Sequence, residues 1–213
     1  MNPGAAPAVE DLLNTGLRRL KLAIPEGGVA KLLAYIRLLT KWNSAYNLTA
    51  IRSPENAVSY HILDSLSVVA HLPPGAIVDI GSGAGLPGIP IAIAEPARSV
   101  TLNDSSHKKI AFLRQVKIEL ALNNVDLYAG RVQGWRPEPR FDVAISRAFT
   151  QAAEFISLAR HLLNPRGCAA LMKGMHPQNE LSGLSGDVRC QVVKLTVPLL
   201  DAERHLVLCE YTR

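Results

Sequence analysis

Residues 76–88 read AIVDIGSGAGLPG, and this stretch decides the fold. Residues 76–80 are a short apolar run typical of a buried strand, and the glycine-rich segment 81–88 follows directly. Residues 86–94 then favour a helix. Glycines in such a turn let the backbone approach a ligand closely, provided that a strand precedes the turn and a helix follows it. The sequence therefore predicts a ligand site at the carboxyl end of this strand.

Strand-like and helix-like segments alternate after this turn, which predicts an α/β open sheet over residues 76–213 as one compact unit. Residues 190–198 and 204–212 follow one another without room for a crossover helix, so we expect them to form an antiparallel edge pair. The other predicted elements are strands at 99–104, 125–130, 141–146 and 166–173 and helices at 108–122 and 151–163.

Residues 1–75 have a different pattern, which predicts an N-terminal helical cap. Helices are expected at 8–22, 29–42 and 54–72, the second with apolar residues at the spacing of a buried stripe. Ser53 is a candidate N-cap because Pro54 follows it at the first helical position.

Composition excludes several classes of protein. The chain has 213 residues, of which 48% are hydrophobic and 19% charged, so it is globular rather than disordered. We see no apolar run long enough to span a membrane and no secretory signal. The three widely spaced cysteines are interpreted as core thiols in a reducing compartment, which favours a cytoplasmic protein. No cluster has the spacing of metal ligands, so no metal is expected.

The charge is unevenly distributed along the chain. The net charge is +5, and residues 105–150 alone carry eight basic and four acidic side chains. This excess is compatible with a polyanionic partner and equally with an ordinary solvated surface. Basic residues that can contact RNA phosphates are Arg18, Arg19, Lys21, Lys108, Lys109, Arg114 and Arg131.

The turn itself leaves three interpretations open: S-adenosylmethionine, a dinucleotide, or a tight structural turn. Counted from Gly83 the glycines match GxGxxG, but counted from Gly81, directly after the strand, they read GxGxG. Asp79 disfavours a pyrophosphate, whereas a sulfonium tolerates a carboxylate. Asp104 ends the next strand and can accept ribose hydroxyls of either cofactor. The pattern favours S-adenosylmethionine.

Two later loops lie at the carboxyl ends of the predicted strands, as the glycine-rich turn does. After the third strand, a backbone N–H and the Gln133 side chain can read an adenine edge. After the fourth strand, Arg147 can bind a carboxylate or phosphate with its planar guanidinium, or form a surface ion pair.

Seven motifs then occur in a characteristic order: NSAYNLTAI, HILDSL, VDIGSGAGLPGIP, LNDSSHKKIAFLRQV, ISRAF, LMKG and LDAERHLV. Together they resemble the methyltransferase G (glucose-inhibited division protein B) family, which methylates guanine N7 in bacterial small-subunit ribosomal RNA. The resemblance covers about residues 35–210. It implies a class I S-adenosylmethionine-dependent methyltransferase fold, with 16S ribosomal RNA in the small subunit as partner and no membrane. We expect a monomer.

The resemblance also implies cofactor contacts at Gly81, Leu86, Val132, Gln133 and Arg147. Family members often carry glutamate at the position of Gln133, and glutamine can still accept a hydrogen bond from adenine but brings no charge. With the residues of the turn, the predicted cofactor-binding set is Asp79, Gly81, Gly83, Gly85, Leu86, Asp104, Val132, Gln133 and Arg147.

Guanine N7 carries a lone pair and no proton, so its methylation needs no general base, and we nominate no catalytic residue. The candidates for holding the substrate are Asn47, Arg52, Lys173, Arg204 and His205. Three alternatives stay open on the residues alone: a nucleotide-dependent oxidoreductase, a non-catalytic RNA-binding protein, and a small-molecule methyltransferase.

Overall fold

A seven-stranded sheet forms the centre of the computed structural model, which describes residues 5–147, 151–181, 184 and 186–212. The strands are β1 Ile77–Ile80, β2 Val100–Asp104, β3 Val125–Ala129, β4 Phe141–Ser146, β5 Leu163–Lys173, β6 Val188–Leu195 and β7 Arg204–Tyr211. They lie in the order β3-β2-β1-β4-β5-β7-β6. Strands β1 to β5 are parallel, and β7 is antiparallel to both β5 and β6. The predicted open sheet with an antiparallel edge pair is confirmed.

The strand order reverses between β1 and β4, because β2 and β3 extend the sheet on one side of β1 and β4 and β5 extend it on the other. In open α/β sheets this reversal leaves a crevice at the carboxyl ends of the central strands. Every residue of β1 and β2 is buried, as expected for central parallel strands that are covered on both faces. A ligand site is therefore expected at the carboxyl ends of these strands, beyond Ile80 and Asp104.

Eight α-helices surround the sheet in the described ranges: α1 Ala5–Leu20, α2 Gly28–Tyr46, α3 Pro54–Ala57, α4 Asp64–Leu66, α5 Gly88–Ala94, α6 His107–Glu119, α7 Ala152–Ala159 and α8 Gln178–Leu181. A π-helical segment, Val58–Leu63, joins α3 to α4. Ser53 is the N-cap of α3, and its Oγ accepts a hydrogen bond from the Asn56 N–H at 3.2 Å. None of the described helices has the length and apolar character needed to cross a membrane.

The third predicted helix, 54–72, is shorter and less regular than expected. Its last α-helical turn is α4, and a 3₁₀ turn, Val69–His71, follows. Leu72 is extended because it precedes Pro73, and a residue before proline avoids the helical region.

Two hydrophobic clusters cover the two faces of the sheet. Because side chains alternate along a strand, Ile77 belongs to one cluster and Val78 to the other. The first cluster also contains Leu13 and Ile36 of the N-terminal helices, so α1 and α2 pack through it toward the sheet. The second contains Phe155 of α7. Asp79 shares the face of Ile77, which directs its carboxylate toward α5.

The interpretation of all three cysteines as free thiols is wrong. Cys190 and Cys209 form a disulfide, because the antiparallel register of β6 and β7 places them directly opposite each other with their Cα atoms 4.1 Å apart. Cys168 is free and buried, as predicted. The pairing depends on a strand register that cysteine spacing does not reveal.

Candidate cofactor and substrate site

A cleft of about 380 Å³ opens at the carboxyl ends of β1, β2 and β3. It is lined by Ile80, Gly81, Asn103, Asp104, Ser105, Lys109, Gly130, Arg131, Val132, Gln133 and Leu158. Four predicted cofactor residues, Gly81, Asp104, Val132 and Gln133, therefore line one cavity. The cleft lies on the β2–β3 side of the reversal in strand order, at the carboxyl ends of the strands, where ligands bind in open α/β sheets.

The glycines of the turn differ in what surrounds them. Gly81, Gly83 and Gly85 all have positive φ, at 67°, 61° and 90°. A Cβ at Gly81 would meet nothing within 4 Å, and one at Gly83 only the Gly81 carbonyl oxygen at 3.9 Å. A Cβ at Gly85 would instead lie 2.6 Å from Ile89 and 2.8 Å from Leu113. The open side of the turn is thus at Gly81 and Gly83, while Gly85 allows close packing against α5 and α6.

Leu86 and Asp79 lie behind the turn rather than at its open side. Leu86 is buried in the hydrophobic cluster that contains the N-terminal helices. Asp79 is fully buried, and its Oδ2 accepts a hydrogen bond from the Gly88 N–H at 2.9 Å, at the beginning of α5. Burial raises the pKa of Asp79 to about 7, although the Gly88 hydrogen bond and the nearby charge of Arg147 oppose this.

Asp104 is bound by donors of the protein. Its Oδ2 accepts hydrogen bonds from the Gly83 N–H at 3.0 Å and from Lys109 Nζ at 3.3 Å, and its Oδ1 accepts from the Ser106 N–H at 2.9 Å. The carboxylate therefore connects the glycine turn to the beginning of α6. Asp104 also lines the cleft, and its role as an acceptor for ribose hydroxyls stays a prediction.

Asn103 is a structural residue of the site that sequence reasoning missed. Its side-chain amide donates to the carbonyl oxygens of Tyr128 at 3.2 Å and Gly130 at 2.9 Å, so it holds the loop after β3 against β2. In that loop Val132 is buried, and its carbonyl oxygen lies 3.1 Å from His161 Nε2, whereas Gln133 is exposed. An asparagine one residue before a strand end is the only signal that could have indicated this role.

Arg147 belongs to a polar cluster with the π-helical segment and α4. Its Nη1 lies 3.0 Å from the Tyr60 carbonyl oxygen, 3.3 Å from His61 Nδ1 and 3.5 Å from Asp64 Oδ2. Arg147 thus forms an ion pair, one of the two roles considered from the sequence, and its partner Asp64 is buried. His61 also contacts Thr49 through Nε2 at 2.8 Å. Burial and the charge of Arg147 lower the pKa of His61 to about 4, so the ring is neutral at pH 7.

Arg204 is the predicted substrate residue that the fold brings to Arg147. Its Nε donates to Asp64 Oδ1 at 2.9 Å, while Arg147 contacts the other oxygen of the same carboxylate. Burial raises the pKa of Asp64, and the two arginines counteract this.

The remaining substrate candidates form two other groups. Lys173 and His205 are opposite each other in the β5–β7 pair. Lys173 Nζ bonds Glu180 at 2.7 Å, and His205 is buried with Nδ1 3.3 Å from the Gly174 carbonyl oxygen. Asn47 and Arg52 are exposed on the cap, where Arg52 Nη2 lies 3.5 Å from Asn47 Oδ1. The described residues contain no group of three His, Cys, Asp or Glu side chains placed to hold a metal ion.

The arrangement fits S-adenosylmethionine on two observations of the structure. The glycine turn has open space beside Gly81 and Gly83, where a ligand backbone can approach. Two buried polar atoms near it, Asp79 Oδ1 and Ser82 Oγ, have no hydrogen-bond partner among the described residues. Unpaired buried polar atoms are costly, and a bound ligand is one way to supply the missing partners.

Comparison with known proteins decides the family. The model of the rRNA small subunit methyltransferase G family matches residues 29–207. The chain belongs to this family. A relative named ribosomal RNA small subunit methyltransferase G from Methylobacillus flagellatus is 49% identical over 199 residues, which cover 93% of this chain and 97% of the relative. The relative of the same name from Chromobacterium violaceum is 51% identical over 197 residues, covering 92% and 94%. The predicted family is confirmed.

Solved structures confirm the class I methyltransferase fold of this family member. An O-methyltransferase from Bacillus cereus in complex with SAH has a TM-score of 0.57 at 16% identity, covering 84% of this chain and 90% of that protein. A methyltransferase from Geobacter sulfurreducens has a TM-score of 0.56 at 15% identity, covering 84% and 89%. The family match shows that the chain is a methyltransferase that uses S-adenosylmethionine.

Proposed function

We propose that this methyltransferase transfers the methyl group of S-adenosylmethionine to N7 of a guanine in 16S ribosomal RNA. The observation that carries the proposal is the family match over residues 29–207, which includes the whole cleft. The relatives from Methylobacillus flagellatus and Chromobacterium violaceum are named for ribosomal RNA of the small subunit. The cleft supports the proposal because it brings the open glycine turn, the Asp104 carboxylate and the loop of Val132 and Gln133 together at the carboxyl ends of the strands.

The cofactor-binding role of individual residues is part of the proposal. Gly81 and Gly83 would admit the cofactor along the open turn, Asp104 would accept its ribose hydroxyls, and Val132 and Gln133 would face its adenine. Arg147, which contacts Asp64, would supply a cation for the carboxylate of the cofactor's methionine group. When bound, the cofactor supplies an electrophilic methyl group on a sulfonium.

The chain has to position its substrate rather than activate it. Guanine N7 has a lone pair and no proton at neutral pH, so no residue is needed to remove one. Holding two reactants in line contributes on the order of 7–11 kcal/mol to a rate acceleration. The hydrogen bonds that Asp104 and Asn103 make to the neighbouring loops keep the cleft in one geometry, so that its polar groups need little reorganisation during the reaction.

Recognition of the RNA is proposed to depend on charge and shape. Lys109 and Arg131 line the cleft, and Asn47 and Arg52 are exposed on the cap. We further propose that the protein acts as a monomer in the cytoplasm and that the folded small subunit presents the guanine. The net charge of +5 supports an RNA partner.

The test uses labelled S-adenosylmethionine and small ribosomal subunits from cells that lack this protein. We expect label in 16S ribosomal RNA, and strand scission by borohydride and aniline, which cleave at N7-methylguanosine, at one position. Deproteinised 16S ribosomal RNA in parallel shows whether the folded subunit is needed. Label at another atom or in a small molecule would contradict the proposal, and cofactor binding without turnover would favour a non-catalytic RNA-binding protein.

A further inference from the structure

The carboxylate of Asp64 contacts two guanidinium groups from distant parts of the chain. Oδ2 lies 3.5 Å from Arg147 Nη1, and Oδ1 accepts from Arg204 Nε at 2.9 Å. The side chain of Asp64 is 4% exposed, whereas those of Arg147 and Arg204 are 25% and 21% exposed. One buried anion thus holds two cations that both reach solvent.

The cluster has unused hydrogen-bonding capacity. Arg204 uses Nε for Asp64 and Nη1 for the Glu203 carbonyl oxygen at 2.8 Å, and Nη2 has no partner among the described residues. Arg147 makes its three contacts with described residues through Nη1. Two guanidinium groups against one carboxylate leave an excess positive charge, with N–H donors that no described residue accepts. A planar guanidinium of this kind is suited to binding a phosphate.

The two arginines of the cluster lie at different distances from the glycine turn. Arg147 follows β4, the strand beside β1, and its charge acts on the buried Asp79. Arg204 begins β7, whose register places His205 opposite Lys173 at the end of β5. Both arginines therefore lie at the carboxyl edge of the parallel strands, with Arg204 two strands farther from the glycine turn.

We propose that Arg204 binds a phosphodiester of the substrate RNA and that Asp64 is the positioning residue that orients both Arg204 and Arg147. This inference rests on the proposed function. Asp64 contacts one N–H group of each guanidinium. The remaining N–H groups of Arg204 then face the RNA, while Arg147 binds the cofactor. Lys173, which bonds Glu180, is not part of this phosphate site.

The first test measures binding of purified small ribosomal subunits over a range of KCl concentrations. We expect Arg204→Ala to raise the Kd about tenfold and to reduce the salt slope by about 0.7–0.9, the loss of one phosphate contact. Arg166→Ala is the matched control. Arg166 is exposed near the beginning of β5, at the amino ends of the parallel strands and therefore at the opposite end from Arg204. The Kd for S-adenosylhomocysteine should be unchanged in both variants. An Arg204→Ala variant that matches Arg166→Ala in Kd and slope overturns the proposal.

The second test addresses Asp64. We expect Asp64→Asn to weaken both S-adenosylhomocysteine and subunit binding and to raise KM for subunits, while Asp64→Glu, which keeps the charge, recovers part of both. If Asp64→Asn does not fold, Arg204→Lys replaces it: it should keep the salt slope, because the charge remains, yet raise KM, because lysine lacks the planar fork. Unchanged KM in a folded Asp64→Asn or in Arg204→Lys refutes the positioning role. Guanine N7 labelling by the wild type tests the proposed function independently.

Discussion

Replacing Gly81 with alanine tests the open glycine turn most directly, because the chain contains a matched control. Gly81 has φ 67° and Gly27 has φ 73°, and a Cβ at either position would meet nothing within 4 Å. Both alanine variants therefore experience the same backbone strain, about 1–2 kcal/mol for a left-handed residue. For a chain of this size that corresponds to a loss of about 2–8 °C in Tm.

The two variants differ in location. Gly81 lines the cleft, whereas Gly27 is exposed before α2. A methyl group at residue 81 occupies space that the bound cofactor needs, and such overpacking costs typically 1–3 kcal/mol. We therefore expect Gly81→Ala to raise the Kd for S-adenosylmethionine about tenfold or more, since 1.4 kcal/mol is a factor of ten.

Isothermal titration calorimetry with S-adenosylmethionine gives the affinity, and thermal denaturation gives the stability of each variant. Gly27→Ala should lose stability and keep its affinity for S-adenosylmethionine. A loss of affinity that occurs only in Gly81→Ala therefore comes from the cleft and not from backbone strain. Equal cofactor affinity in the two folded variants would show that the ligand does not lie beside Gly81, and the placement of the site would be wrong.

Three other predictions concern residues behind the turn. Gly85→Ala should destabilise the protein by about 1–3 kcal/mol more than Gly81→Ala in urea denaturation, because its Cβ would lie 2.6 Å from Ile89; equal losses would contradict the packing role. Tyr35→Phe should cost about 1–3 kcal/mol, because it leaves the Ala84 carbonyl oxygen, bonded by the buried Tyr35 hydroxyl at 2.7 Å, without that donor; an unchanged urea midpoint would exclude this. The pKa of Asp79 is raised from its ordinary value of 3.8 to about 7, so the folded protein binds more protons than the unfolded chain between these pH values, and stability falls as pH rises. Asp79→Asn should remove this component of the fall between pH 4 and 7, and parallel stability curves for variant and wild type would refute it.

The sequence was sufficient for features that depend on neighbouring residues. The strand, glycine turn and helix of residues 76–94 were predictable because hydrophobic period and glycine position are local signals. The Ser53 N-cap depends on residues 53–56 alone, and the antiparallel edge pair follows from a connection too short for a crossover. Ordered motifs indicated the family because they combine many such local requirements.

Tertiary structure decided which residues act together. Asp64 is 83 residues from Arg147 and 140 from Arg204, and only the packing of α4 against the ends of β4 and β7 brings them into contact. The Cys190–Cys209 disulfide likewise depends on strand register. Similar glycines in one turn have different surroundings, Gly81 open and Gly85 packed, because a Cβ at Gly85 would meet Leu113 of α6 as well as Ile89 of the adjoining α5. Local patterns specify backbone conformation, whereas the surroundings of a side chain depend on long-range contacts that form only when the whole chain has folded.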